Sequence, residues 1–103
     1  MCISGIQYQQ LDEYIQAGDR RIIDLRTKQA YDRCHIETAE NIPFEQLSVY
    51  SFQKNEKIIF YCDRGNSSLM ACRNFNRQGF DTMTVMGAFA SYRGKYLWRR
   101  SYS

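Results

Sequence analysis

The sequence predicts an α/β domain in which helices cover both faces of a central, mainly parallel sheet of about five strands. Two patterns support this fold class. Short apolar segments of strand length alternate along the chain with segments in which apolar residues recur at helical spacing. The most apolar segment, residues 57–62, is a continuous run flanked by polar residues, which is typical of a parallel strand buried on both faces.

The amino-terminal part begins with an amphipathic helix. Four apolar residues recur at helical spacing before Gly18, which stops the helix: Tyr8, Leu11, Tyr14 and Ile15. Residues 21–25 form a short apolar strand, and Lys28–Arg33 is a brief helix with Thr27 as its N-cap. The chain therefore starts with the alternation of helix and strand that an α/β domain requires.

The remaining segments continue this alternation. Residues 39–42 form a very short strand that ends at Pro43, and residues 44–50 are a weak helical segment. Five further segments follow: a strand over residues 57–62, a turn over 63–66, a helix over 67–78 closed by Gly79, a strand over 82–85, and a helix over 88–96 after the break at Gly87.

Length and charge indicate one domain with a basic tail. The 103 residues fit a single domain, residues 1–103, and the net charge is +3. From Arg93 onward there are four basic and no acidic residues, so the charge belongs to a tail over residues 93–103. Such a short tail is normally solvated, and we do not expect nucleic acid as a partner.

The chain has no features of a membrane or secreted protein. It contains no apolar run long enough to span a bilayer, and its first residues lack a basic region followed by an apolar stretch. We therefore expect a cytoplasmic protein without membrane partners. Four cysteines are present, without Cys-x-x-Cys spacing, so neither a metal site nor structural disulfides are expected: Cys2, Cys34, Cys62 and Cys72.

The strand over residues 57–62 ends in Cys62, and a polar loop and a helix follow directly. Ligands of open α/β sheets bind at the carboxyl ends of the strands, and a helix N-terminus presents unpaired N–H groups. Such N–H groups favour a thiolate over a thiol and can hold an oxyanion. A cysteine that only fills the core needs neither the polar loop nor Gly65, so the combination indicates a nucleophile.

Four segments, in order, resemble the rhodanese domains. The loop from Cys62 to Ser68 is similar to the Cys-x-x-Gly-Asn-Ser-Ser form of small bacterial thiosulfate sulfurtransferases. Residues 22–26 resemble the early strand with its Asp-x-Arg ending, and residues 34–43 resemble the Gly-His-Ile segment, with Cys34 and Thr38 replacing two glycines. Residues 87–92 stand where the family has Gly-Gly-x-x-x-Trp.

The resemblance implies a three-layer rhodanese-like domain that transfers sulfur. Cys62 would take the outer sulfur from a small anionic donor such as thiosulfate and pass it, as a persulfide, to a thiol acceptor or a sulfur-relay protein. No cofactor or metal is implied. The residues expected to bind the substrate and the persulfide form the loop: Asp63, Arg64, Gly65, Asn66, Ser67 and Ser68.

Other polar residues near these motifs are assigned supporting roles. Asp24 and Arg26 are expected to form a structural pair, and His35 is expected to bond to backbone away from the sulfur. Cys72 lies on an apolar helix face and should pack in the core. Asp63 places a carboxylate beside the sulfur, where it would oppose thiolate formation and anion binding.

Three alternative functions remain open from the sequence. A cysteine phosphatase or arsenate reductase would use a similar loop, but the Cys-x5-Arg pattern requires arginine where Ser68 stands. A non-catalytic binding or regulatory module of the same fold usually lacks the loop cysteine. A persulfide carrier would use Cys62 in the same way but accept its sulfur from a protein persulfide.

Overall fold

The computed structural model describes residues 5–100, so Cys2 lies outside the described residues. Its strands are β1 (Gly5–Gln7), β2 (Arg21–Asp24), β3 (Cys34–Ile36), β4 (Glu40–Asn41), β5 (Lys57–Tyr61), β6 (Asp81–Met86) and β7 (Leu97–Arg99). Five of them form one parallel sheet in the order β1-β6-β5-β2-β4, and β3 pairs with β7 in a separate antiparallel ribbon. The predicted five-stranded parallel sheet is confirmed.

The helices are α1 (Tyr8–Ala17), α2 (Lys28–Arg33) and α3 (Asn66–Arg77), and short 3-10 turns cover Phe44–Gln46, Val49–Ser51 and Phe89–Ser91. The predicted helix boundaries agree with α1 and α2, and α3 begins one residue earlier than predicted. No helix between residues 5 and 100 is long and apolar enough to cross a membrane.

The central strand β5 divides the core into two halves. Ile59 and Tyr61 point to the side of α1, whereas Ile58 and Phe60 point to the side of α3, and all four are buried. This alternation follows from the two-residue period of a strand, and it explains why the segment is apolar at every position. The position of β5 between β2 and β6 confirms the predicted interior strand.

Two predicted helices are wrong. Residues 44–50 form two 3-10 turns instead of one helix, since Ser48 interrupts them and its hydroxyl accepts the Tyr50 N–H. Residues 88–96 form only the turn Phe89–Ser91. This segment bonds to α1 instead, where the Asp12 carboxylate accepts hydrogen bonds from the Tyr92 hydroxyl and the Lys95 N–H.

The basic tail folds back on the domain as far as the structure describes it. The strands β1, β3 and β7 were not predicted, and β7, which lies in the tail, pairs with β3. The Trp98 ring stacks on His35 at a centroid distance of 4.7 Å, and the Arg100 N–H donates to the Arg33 carbonyl. The tail is therefore part of the fold through Arg100, and the charges it carries have defined positions.

A buried ion pair closes the carboxyl end of β2. The Asp24 side chain is fully buried and the Arg26 side chain is 4% exposed. The guanidinium donates to both carboxylate oxygens and to the Cys34 carbonyl. The Asn41 side-chain amide donates to the backbone carbonyls of Asp24 and Arg26. The predicted structural pair is thus confirmed, in a position that connects β2, β3 and β4.

Removing the carboxylate charge of this pair should destabilise the fold strongly. We expect Asp24→Asn to lower the free energy of unfolding by about 3 kcal/mol, because Arg26 would remain buried without its counter-ion. Urea denaturation followed by circular dichroism measures the change. The control is Asp81→Asn, which removes the charge of a 55% exposed carboxylate paired with Arg20 and should cost about 1 kcal/mol or less. Equal effects of the two substitutions would contradict the assigned role of Asp24.

Candidate active site

Cys62 directly follows β5, at the carboxyl edge of the sheet, and is 5% exposed. The end of the strand is fixed by its neighbours, since the Leu25 N–H donates to the Tyr61 carbonyl and the Tyr8 hydroxyl donates to the Cys62 carbonyl. Burial raises the pKa of the Tyr8 hydroxyl, so this group remains a hydrogen-bond donor. The sulfur is therefore held at a rigid position at the edge of the sheet.

The Cys62 sulfur accepts hydrogen bonds from two backbone amides. The Gly65 N–H lies 3.1 Å from Sγ, and the Ser68 N–H lies 3.3 Å from it. Ser68 belongs to the first turn of α3, so the sulfur also faces the positive end of the helix dipole. These donors stabilise negative charge on the sulfur.

Gly65 makes this arrangement possible. It is the N-cap of α3 and has a left-handed backbone with φ of 94°. A Cβ at this position would also lie 3.4 Å from the backbone N and O of Gly87. A residue with a side chain would strain the turn that directs the amides to Cys62, so the glycine is required by conformation.

Ser68 and Thr84 lie beneath the sulfur, and both are buried. The Thr84 hydroxyl donates to Ser68 Oγ at 2.8 Å, and Ser68 Oγ donates to the Gly65 carbonyl at 3.2 Å. The Cys62 thiol donates to the same Ser68 oxygen at 3.5 Å. A second layer of hydroxyl groups therefore supports the sulfur from inside the protein.

A cavity of about 420 Å³ opens over Cys62. Five of the predicted site residues line it: Cys62, Asp63, Arg64, Asn66 and Ser67. The other two, Gly65 and Ser68, contact the sulfur but do not line the cavity. The structure thus brings together all the predicted site residues, and they divide into a set facing the cavity and a set supporting the sulfur.

Charged side chains of Arg26, Asp63 and Arg64 line the cavity over Cys62. The Asp63 side chain is 71% exposed, and its Oδ1 lies 3.9 Å from Nη1 of Arg26. Arg26 forms part of the cavity wall, with its guanidinium 4.1 Å from the centroid of the Phe89 ring. Arg64 is exposed and lines the same cavity. The cavity therefore has two arginines in its wall, and the charge of Arg26 is balanced by Asp24.

The remaining candidates occupy supporting positions. His35 stacks between Tyr31 and Trp98, and its Nδ1 lies 2.6 Å from the Tyr31 carbonyl, as expected for a structural histidine. Cys72 is fully buried, and burial raises the pKa of its thiol. Cys34 is half-buried at the start of β3. Residues 5–100 contain no cluster of three or more potential metal ligands.

Three contributors to the site were not identified from the sequence. The sequence pattern predicted Tyr8 only as an apolar position of a helix and Thr84 only as part of a strand, whereas the structure places both in the site. Phe89, whose N–H donates to the Asp63 carbonyl at 2.9 Å, follows the break at Gly87. This break was a usable signal, because β6 is parallel to β5 and its carboxyl end must lie beside the Cys62 loop.

Comparison with known proteins gives a consistent family. The family model of the rhodanese-like domain matches residues 7–95 of this chain. Thiosulfate sulfurtransferase GlpE of Coxiella burnetii is 25% identical over 99 residues, covering 93% of this chain and 92% of that protein.

Solved structures share the fold. A protein of Staphylococcus saprophyticus superposes with a TM-score of 0.83 at 25% identity, covering 94% of this chain and all of the other. A rhodanese-like domain protein of Staphylococcus aureus superposes with a TM-score of 0.81 at 24% identity, covering 96% and 100%. The match over residues 7–95 includes every strand of the parallel sheet except part of β1, together with the whole Cys62 loop. The chain therefore belongs to the rhodanese-like domain family.

Proposed function

We propose that this protein is a sulfurtransferase that moves a sulfane sulfur from thiosulfate, or a similar small anionic donor, to a thiol acceptor through a persulfide on Cys62. The observation that carries the proposal is the pair of backbone N–H groups, from Gly65 and Ser68, directed at Cys62 Sγ at the base of an open cavity. A relative of similar length carries the name thiosulfate sulfurtransferase, which supports the same chemistry.

The first half-reaction transfers sulfur to the protein. The Cys62 thiolate attacks the outer sulfur of thiosulfate, a bond forms between the two sulfur atoms, and the bond from the outer sulfur to the sulfonate sulfur breaks. Sulfite leaves with the electron pair of the broken bond. One thiolate charge and two thiosulfate charges become one persulfide charge and two sulfite charges, so the step needs no further reactant.

The outer sulfur of the persulfide would be bound by amides that the resting protein leaves free. Asn66 and Ser67 begin α3 and line the cavity, and their N–H groups have no hydrogen-bond partner among residues 5–100. A charge that moves from Cys62 Sγ to the added sulfur would therefore pass from one pair of amides to the next. Donors fixed in advance stabilise such a charge without reorganisation.

A phosphatase reaction is disfavoured by the position where its arginine would stand. Ser68 occupies that position, and its side chain is buried beneath the sulfur with hydrogen bonds to Thr84 and Gly65. A phosphoryl group over Cys62 would lack the bidentate guanidinium that this chemistry uses.

The nucleophile is tested by replacing each cysteine in turn. We expect wild-type protein incubated with thiosulfate to gain the mass of one sulfur atom, which dithiothreitol removes. Cys62→Ser should abolish both this adduct and turnover. The controls are Cys2→Ser, Cys34→Ser and Cys72→Ser, which should keep the adduct, because Cys62 is the cysteine whose sulfur the loop amides bond. An adduct that persists in Cys62→Ser would refute the proposal.

The charges next to Cys62 should act on the donor dianion in opposite directions. We expect Asp63→Asn to raise kcat/KM for thiosulfate by up to about fivefold, and Arg64→Gln to lower it by a similar factor, since exposed charges interact by about 1 kcal/mol or less. Both effects should shrink as salt is added. The control is Asp19→Asn, because Asp19 also lies 3.9 Å from a cation but lines neither the cavity nor the loop.

Thr84 is proposed to position the Ser68 hydroxyl. In the thiol state Ser68 Oγ accepts from Thr84 and Cys62 and donates to Gly65. When Cys62 is a thiolate it can no longer donate, and the Ser68 proton has a charged acceptor at the sulfur. Because the Thr84 hydroxyl donates to Ser68 Oγ, the Ser68 proton is left for the Gly65 carbonyl or for the thiolate.

Removing the Thr84 hydroxyl should therefore slow reaction at Cys62. We expect Thr84→Val to lower the rate of Cys62 alkylation at neutral pH about fivefold, the value of one lost hydrogen bond, and to move its pH profile upward. Thr84→Ser should restore the profile. Thr82→Val is the matched control, because Thr82 is equally buried on the same strand but bonds to Cys72. The same profile shift in Thr82→Val would reduce Thr84 to a structural role.

A further inference from the structure

A second cavity, of about 600 Å³, lies beside the one that opens over Cys62. The two cavities share Arg26, Asp63 and Arg64 in their walls, so they adjoin at these residues. The second cavity has an apolar surface made in part by Phe89 and Leu97. Its volume is within the range of sites that bind small molecules.

Arginine side chains dominate the charge of this cavity. Asp63 is the one carboxylate that lines it within residues 5–100, and four arginines line it: Arg26, Arg64, Arg93 and Arg99. Arg26 is neutralised by Asp24. Among residues 5–100, no carboxylate lies within ion-pairing distance of Arg64, Arg93 or Arg99. The cavity therefore has an excess of positive charge that the described part of the protein does not balance.

The fold holds two of these arginines in defined places. The Arg93 guanidinium donates to the Ala90 and Tyr92 carbonyls at 2.6 and 3.0 Å. Arg99 lies on β7 opposite Cys34. These contacts position the guanidinium of Arg93 and the backbone of Arg99. Neither guanidinium is paired with a carboxylate within residues 5–100. Both arginines line the cavity.

We propose that the second cavity binds the sulfur acceptor, and that this acceptor is a small thiol carrying at least two carboxylates. This inference rests on the proposed sulfurtransferase function. Arginine binds carboxylates through paired N–H groups, and arginines from three separate segments suit several separated carboxylates better than one compact anion. The apolar surface would contact the carbon skeleton, and the thiol would reach the persulfide across the shared Asp63–Arg64 wall.

The second half-reaction then proceeds from this cavity. The acceptor thiolate attacks the outer sulfur of the Cys62 persulfide, a sulfur–sulfur bond forms, and the bond from that sulfur to Cys62 Sγ breaks. Cys62 leaves with the electron pair as a thiolate, and the acceptor departs as a persulfide. Two anions must approach each other in this step, and the unbalanced arginines reduce their repulsion.

The test compares two acceptor thiols in the full chain at saturating thiosulfate. Mercaptosuccinate carries two carboxylates and 2-mercaptoethanol carries none. We expect the double variant Arg93→Gln, Arg99→Gln to lower the ratio of their kcat/KM values about tenfold, as expected from two partly exposed charge contacts. Arg73→Gln, Arg77→Gln is the control, since both arginines are exposed on α3 and line neither cavity. An unchanged ratio in the Arg93, Arg99 variant would overturn the proposal.

A binding measurement separates this proposal from the sulfur-transfer chemistry. Succinate titrated into the resting protein should shift the amide resonances of residues 88–99 in wild type and in Cys62→Ser, but not in the Arg93, Arg99 variant. If no persulfide forms on Cys62, the proposed function fails while this titration still decides the site. Absence of the shifts, or equal binding of inorganic phosphate, would refute a site for dicarboxylates.

Discussion

The buried ion pair between Asp24 and Arg26 connects the parts of the protein that surround both cavities. Its carboxylate ends β2, and its guanidinium reaches the Cys34 carbonyl at 2.6 Å and the Phe89 ring at 4.1 Å. A guanidinium removed from water requires a full set of partners. The pair therefore fixes the end of β2 relative to the start of β3 and to the turn at Phe89. The Phe89 N–H donates to the Asp63 carbonyl, so the same turn also positions Asp63.

The position of a cysteine in this fold decides its chemistry. Cys62 and Cys72 are both buried, and both contact a hydroxyl group. Cys62, however, accepts two backbone amides at a helix N-terminus and lies beneath an open cavity, whereas burial raises the pKa of Cys72 within the core. The loop after β5 therefore gives Cys62 backbone N–H donors, and Gly65 is the residue whose conformation allows that loop to close around the sulfur.

The two cavities fit a double displacement in which donor and acceptor reach one sulfur atom at different times. The shared wall of Asp63 and Arg64 would keep the carbon skeleton of an acceptor apart from the space that the donor needs. Arg64 lines both cavities, so its charge can act on either anion. The family membership covers the fold and the loop, and Arg93 and Arg99 would give the proposed acceptor site its charge.

The sequence by itself determined the parallel α/β fold, the interior strand that ends at Cys62, and the loop of residues 63–68, because periodicity, turn residues and the strand–loop–helix order are local. The tertiary structure decided which distant groups support the loop. The Tyr8 hydroxyl donates to the Cys62 carbonyl across 54 residues, and the Tyr92 hydroxyl donates to Asp12 across 80. The second bond lies in the segment where a predicted helix is a short turn followed by β7. Such contacts depend on how the sheet and α1 pack, and local sequence patterns do not encode them.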